Sequence, residues 1–124
     1  MNNKSKNPFK NKRDFEKRLE ETTNIKIKHP SKCPVVVQRS HKETEIEEID
    51  RNKFLVPPDM SLHGLLYIIR KRLRLHNDSQ ALYLFTEKGV LFTTNILLVS
   101  QVYDTQKDDD GYLYLFYNSE NTFG

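Results

Sequence analysis

Residues 112–117 read Tyr-Leu-Tyr-Leu-Phe-Tyr, a nearly continuous apolar run close to the end of the chain. Successive side chains of a strand point to opposite faces, so a strand without polar positions belongs at the centre of a sheet. This segment constrains the fold more than any other, because the remaining residues must flank and cover it. A chain of 124 residues can bury roughly two-thirds of its unfolded surface, enough for one domain with one modest core.

The candidates for that cover follow in order. Residues 1–13 are polar and basic, and read either as mobile or as a short helix around Pro8 that docks through Phe9. A helix starts after Asp14, a good N-cap, and stops near Lys28-His29 because Pro30 disfavours the α conformation before it. Phe15, Leu19, Thr22 and Ile25 fall at helical spacing and are expected as its inner stripe. Pro34 to Arg39 is rich in β-branched residues and reads as a strand that begins on a donor-less proline. Residues 40–51 form a charged loop with a short alternation at Ile46 and Ile49. Lys53-Phe54-Leu55-Val56 is a second strand, short, lysine-bearing and stopped by Pro57-Pro58, all features of an exposed edge.

Leu62 to Leu75, capped by Ser61, is the clearest helix, with Leu62, Leu65, Leu66, Ile69 and Leu73 along one apolar stripe. Ile68 does not fit this stripe, lying about 100° from Ile69 by the ~3.6-residue period. Leu82 to Phe85 is the third strand, and Leu91-Phe92 a short return strand. Asn95 to Tyr103 is expected as one helix capped by Thr94, and Asp108 to Gly111 as a turn. Residues 118–124 form a polar tail, expected to be flexible. The order, a helix and then β-β-α-β-(β)-α-β, describes an α+β domain with one mixed sheet and a main helix across it. Ubiquitin-like β-grasp domains have this order, here with an additional N-terminal helical extension.

Charge is distributed in blocks. Residues 1–18 hold seven Lys/Arg against Asp14 and Glu16, and Arg70-Lys71-Arg72-Leu73-Arg74 is a second basic run. Acidic runs span Glu43 to Asp50 and Asp108 to Asp110. Basic blocks of this kind favour an acidic partner or an anionic surface, or simply form a solvated exterior. No apolar run approaches the ~20 residues of a membrane span, and the N-terminus shows no apolar leader. The single cysteine, Cys33, rules out an internal disulfide and points to a reducing compartment.

Catalytic and metal signals are weak. His29, His41, His63 and His76 make no metal-ligand spacing, and no cofactor or metal is expected. Cys33 lies near His29 but is followed by Pro34 and lacks an ordering acid or amide, so a structural cysteine is the better reading than a hydrolase nucleophile. With four glycines, phosphate-cradling loops are scarce.

The motifs themselves resemble a known family. Lys53-Phe54-Leu55-Val56-Pro57-Pro58-Asp59-Met60 followed by Ile69-Arg70-Lys71-Arg72, Phe15-Glu16-Lys17-Arg18, His29-Pro30, Pro34-Val35-Val36-Val37, Asp110-Gly111-Tyr112-Leu113-Tyr114 and Phe123-Gly124 are similar to segments of the autophagy ubiquitin-like modifiers of the GABARAP and microtubule-associated light-chain type. The likeness runs nearly continuously from residue 14 to 124. It implies a modifier and not an enzyme.

By that resemblance the Gly124 carboxylate is conjugated to phosphatidylethanolamine by activating and conjugating enzymes, with Phe123 seating the tail. It also implies docking of short aromatic-x-x-aliphatic motifs. Glu21, Ile25, Pro34, Val36, Lys53, Leu55 and Tyr112 would line the aromatic pocket. Phe54, Val56, Pro57, Met60, Leu65 and Ile68 would line the aliphatic one, with Arg70 and Arg72 drawing acidic flanks. An edge strand that accepts a peptide supports this reading independently. A cytoplasmic monomer is expected, membrane-associated after lipidation, on the autophagosome or, for an apicomplexan source, on a plastid membrane. Nucleic acid is not an expected partner. The alternatives are an unconjugated peptide-binding adaptor and a binder of microtubules or anionic surfaces.

Overall fold

The structure, a computed structural model, describes residues 6–75, 80–92 and 96–120. Its elements in chain order are α1 (Pro8–Lys12), α2 (Phe15–Lys28), β1 (Cys33–Arg39), β2 (Lys53–Val56), α3 (Leu62–Arg72), β3 (Tyr83–Thr86), α4 (Val99–Gln106) and β4 (Leu113–Asn118). The strands form one mixed sheet in the order β2-β1-β4-β3. β1 pairs antiparallel with β2 and parallel with β4, and β3 pairs antiparallel with β4. β4 is therefore central, as its composition requires, and β2 is an edge. The element order is the one expected of a β-grasp domain, with α1 and α2 as the helical extension.

Alternation along the two inner strands divides the core in two. Val35, Val37, Leu113, Leu115 and Tyr117 pack with Leu62, Leu65 and Ile69 of α3 and with Val99, Val102 and Tyr103 of α4. Val36, Tyr112, Tyr114 and Phe116 face the other way and pack with Phe9 of α1 and Ile25 of α2. Both sheet faces are thus covered, which is why β4 is aliphatic or aromatic from Leu113 to Tyr117.

α1 forms the docked helix of the two readings given for residues 1–13. Asn7 caps it through Oδ1, which accepts from Lys10 N at 3.1 Å, and Phe9 is 1% exposed. The Phe9 ring meets Tyr112 edge-on at 5.2 Å between centroids. Burying a phenylalanine so completely anchors the segment, since its truncation costs about 3–5 kcal/mol. The 2.8 Å bond from Phe9 N to Gln38 Oε1 fixes the helix over β1.

Four sequence expectations need correction. In α2, Phe15 and Leu19 are 42% and 40% exposed, while Arg18 and Thr22 are buried. Polar contacts set the roll of this helix: Arg18 Nε donates to Asp110 Oδ2 at 2.7 Å and Thr22 Oγ1 to Asp110 O at 2.5 Å. α3 ends at Arg72 instead of reaching Leu75. Leu75 N bonds Arg70 O and Arg74 N bonds Lys71 O, a Schellman closure with Arg74 in the left-handed region at φ 59°.

The return strand at Leu91-Phe92 reduces to one bridge, Phe85 to Leu91. The helix expected from Asn95 starts at Val99, because the residues before it are held in extended form. Leu62 N bonds Leu97 O, Val99 N bonds Met60 O, and Gln101 Oε1, in place of Thr94, accepts from Leu98 N at 2.8 Å. Thr94 and Asn95 themselves lie outside the described residues. β3 and β4 are each displaced by one residue toward the C-terminus, so that β4 takes in Asn118, and β1 begins one residue early at Cys33.

Candidate functional site

Among the described residues β2 has a ladder partner on one side only. Its four residues pair with β1 as Cys33↔Val56, Pro34↔Leu55, Val35↔Phe54 and Val36↔Lys53. The strand period of two then sorts the neighbourhood. Lys53 and Leu55 lie on the α2 side with Val36 and Pro34, and Phe54 and Val56 on the α3 side with Val35 and Cys33. A peptide laid along the outer edge of β2 would meet backbone donors and acceptors, with a different set of side chains above and below.

On the α2 side two of the residues expected for the aromatic pocket, Lys53 and Tyr112, meet a third, Glu21. Tyr112 Oη donates to Glu21 Oε1 at 2.7 Å, and Lys53 Nζ lies 3.5 Å from the same oxygen. Arg13 Nε is 4.0 Å from Glu21 Oε2, and the Arg13 guanidinium stands 4.0 Å over the Phe9 ring. Burial and the Glu21 bond push the Tyr112 hydroxyl up, so it stays a donor at neutral pH. The Lys53–Glu21 pair is partly exposed, and such pairs contribute about 0–1 kcal/mol. Its cationic end is thus readily drawn to another anion. Leu55 is 42% exposed and Ile25 half-buried, whereas Pro34, Val36 and Tyr112 are buried. Those three support the site from beneath.

On the α3 side, Phe54, Pro57, Met60 and Ile68 are half-buried, and Val56 and Leu65 are buried. Gly64 makes room for Met60: a Cβ there would stand 3.2 Å from Met60 Cγ. Ile68 keeps partial exposure while its neighbour Ile69 has none. Arg72 lies with its guanidinium 5.9 Å from the Phe54 ring centroid and Nη1 3.9 Å from Asp50 Oδ1. Arg70 instead donates from Nη1 to Gln80 O at 2.8 Å. Phe123 and Gly124 lie outside the described residues.

The charge blocks find one another inside the molecule. Lys10 Nζ lies 2.8 Å from Glu87 Oε1 and 2.6 Å from Asp108 Oδ1, and Arg18 pairs with Asp110. Burial works against the Lys10 ammonium, but its bonds to Asp108 and Glu87 outweigh that and hold its pKa above the ordinary range. Part of the N-terminal basic run therefore serves the fold.

Cys33 is 4% exposed, and burial pushes its thiol up, which suits a structural residue and not a nucleophile. Among the described residues no three His, Cys, Asp or Glu side chains are placed to hold a metal, and no helix is long and apolar enough to cross a membrane.

Two residues outside the expected sets matter to this geometry. Asp110 ties α2 to the start of β4, and Glu43 ties the 40–51 loop to its end. In the sequence both are simply members of the acidic runs. The one local hint is that Glu43 precedes Ile46, the first apolar position of the loop, by three residues.

Comparison with known proteins adds a family. The family described as "Autophagy protein Atg8 ubiquitin like" matches residues 17–124. Autophagy-related protein 8e of Arabidopsis thaliana is 43% identical over 116 residues, 94% of this chain and 92% of that protein. Autophagy-related protein 8 of Mycosarcoma maydis is 40% identical over 116 residues, 94% of this chain and 95% of the other.

Proposed function

The chain belongs to the Atg8 ubiquitin-like family of autophagy modifiers, and on that premise we propose that it is conjugated through Gly124 to phosphatidylethanolamine and docks aromatic-x-x-aliphatic motifs along β2. In this reading the Gly124 carboxylate attacks ATP in an activating enzyme to give an acyl adenylate and pyrophosphate. A cysteine thiolate displaces AMP, the acyl group passes to a conjugating enzyme as a thioester, and the lipid amine displaces the thiol to leave an amide. The product carries two acyl chains, sufficient for stable anchoring. Phe123 seats the tail in these enzymes.

The observation that carries the docking half is the edge strand itself. Lys53 and Leu55 stand exposed between the Glu21 cluster and the half-buried Phe54, Met60 and Ile68. An aromatic side chain would enter on the α2 side, an aliphatic one on the α3 side, and Arg72 would attract acidic flanks. The protein is then a membrane-tethered adaptor for motif-bearing partners, on the autophagosome or on a plastid membrane.

Reconstituted lipidation, read by intact mass, tests the reading. The chain is mixed with family activating and conjugating enzymes, ATP and phosphatidylethanolamine liposomes, beside a Gly124-deleted control. The expected result is a gain of one lipid mass that vanishes in the control. No gain with several family enzyme pairs, while a motif peptide still binds, would instead favour an unconjugated adaptor.

A further inference from the structure

The charged loop after β1 closes over the end of β4 at three points. Ser40 N donates to Tyr117 O at 3.0 Å, and Tyr117 Oη donates to Glu47 O at 2.5 Å. The third is Glu43, whose side chain lies inside the turn and leaves the residue 4% exposed. Its Oε2 accepts from Glu45 N and from Ile46 N, each at 2.7 Å. Its Oε1 accepts from Ser119 N at 2.6 Å, across 76 positions of sequence.

Ser119 is the first residue past β4, whose last ladder pair is Tyr83↔Asn118. Its amide has one other acceptor, Asn118 Oδ1 at 3.1 Å, longer and uncharged. Burial alone would push the Glu43 carboxyl up, but the bonds from Ser119, Ile46 and Glu45 outweigh it and hold it below the usual range. The carboxylate is thus ionised at neutral pH, and charge-assisted bonds of this kind are the stronger class.

We propose that Glu43 is a positioning residue for the C-terminal tail: it fixes Ser119 against the loop and so sets the point and direction from which Gly124 is presented to the conjugating machinery. This rests on the reading of Gly124 as the conjugated residue. From Ser119 to Gly124 the chain can reach at most about 18 Å. Holding Ser119 therefore fixes the point from which that reach is measured. Freed of Glu43, the chain would swing from Asn118 and the carboxylate would be held less often where the enzyme can use it.

Two variants separate this role from a general need for the loop. Glu43→Gln removes the charge, and Ser119→Pro removes the amide and the hydroxyl that Glu43 holds, leaving its bonds to Glu45 and Ile46. In the parent the Ser119 and Ile46 amide proton shifts should titrate together, in one step below the ordinary glutamate range, and Glu43→Gln should abolish that step. Both variants should bind a motif peptide within about twofold of the parent while kcat/KM for thioester formation falls on the order of tenfold.

Independent titration of the two amides overturns the proposal, as do folded variants that are charged at the parent rate. A parent that is never charged by any family enzyme overturns the conjugation reading, and the proposal with it. The amide titration still reports separately whether Glu43 holds Ser119.

Discussion

Arg18 Nε donates to Asp110 Oδ2 at 2.7 Å, joining α2 to the residue that leads into β4 across 92 positions of sequence. The two side chains are 10% and 0% exposed. Asp110 also accepts from Tyr114 Oη at 2.5 Å and from Tyr112 N at 2.8 Å, so its lone pairs are filled from three directions. The N-terminal extension is held to the domain by this ion pair as much as by Phe9.

Removing one partner of such a pair leaves the other buried and unmatched, which costs about 3–5 kcal/mol. Asp110→Asn and Arg18→Met should each lower the urea midpoint accordingly. The double variant should cost less than the sum of the two. Additive losses in the double-mutant cycle would mean that the pair contributes no coupling.

Gly111 presents a sharper local test. Its φ is +94°, and a Cβ there would stand 2.5 Å from Thr22 Oγ1 and 2.8 Å from Thr22 Cβ. Left-handed backbone costs a substituted residue about 1–2 kcal/mol before any clash. Gly111→Ala should therefore destabilise by more than 2 kcal/mol, a rough figure that adds the collision to the strain. It should also expose Tyr112 and Phe9 to quenchers as α2 lifts. A loss confined to the strain would show that α2 yields at Thr22 without cost.

Much of this architecture was legible because its signals are local. Asp14 and Ser61 cap α2 and α3 through bonds three residues on, to Lys17 N at 2.9 Å and Gly64 N at 3.0 Å. The edge character of β2 follows from a lysine and two prolines. The expected docking residues came as two sets from family likeness alone, and the period of two puts Lys53 and Leu55 on one face of β2 and Phe54 and Val56 on the other. What failed was fixed at long range. The inner face of α2 depends on Asp110, and the start of α4 depends on backbone bonds to Met60 and Leu62. Neither leaves a mark in the neighbouring sequence. Glu43 was hidden for the opposite reason: among Glu45, Glu47 and Glu48 a buried carboxylate looks like a solvated one.

Stability should fall away on both sides of neutrality. Burial works against the Asp108 carboxylate, but the Lys10 bond and the Asp110 amide outweigh it and hold it low, as the backbone amides do for Glu43. Their contribution is complete above the unfolded carboxylate range, about 4, and is lost as pH falls through the lower folded values. Burial pushes Tyr103 and Tyr117 up to about 12. Their neutral forms stabilise the fold below the ordinary tyrosine value, about 10, and that contribution fades as pH rises toward the folded one. Urea midpoints across pH should show both declines. Asp108→Asn should flatten the acid limb and Tyr103→Phe the alkaline limb, and unchanged limbs would remove these assignments.

Two of the apolar residues assigned to the α3 side of β2 should behave differently. Leu65 is fully buried, so Leu65→Ala should cost about 2–5 kcal/mol of stability whatever it does to binding. Ile68 is half-buried, so much of its surface is available to be covered by a ligand. Ile68→Ala should cost the fold less than Leu65→Ala does, since part of its side chain is already in water. It should weaken an acidic-flanked aromatic-x-x-aliphatic peptide by roughly tenfold, about 1.4 kcal/mol of lost contact with the aliphatic residue. Fluorescence anisotropy with a labelled peptide, beside urea denaturation of the same samples, separates the two effects. If Ile68→Ala binds as the parent does, the aliphatic side chain does not enter between β2 and α3, and the docking half of the proposed function is wrong.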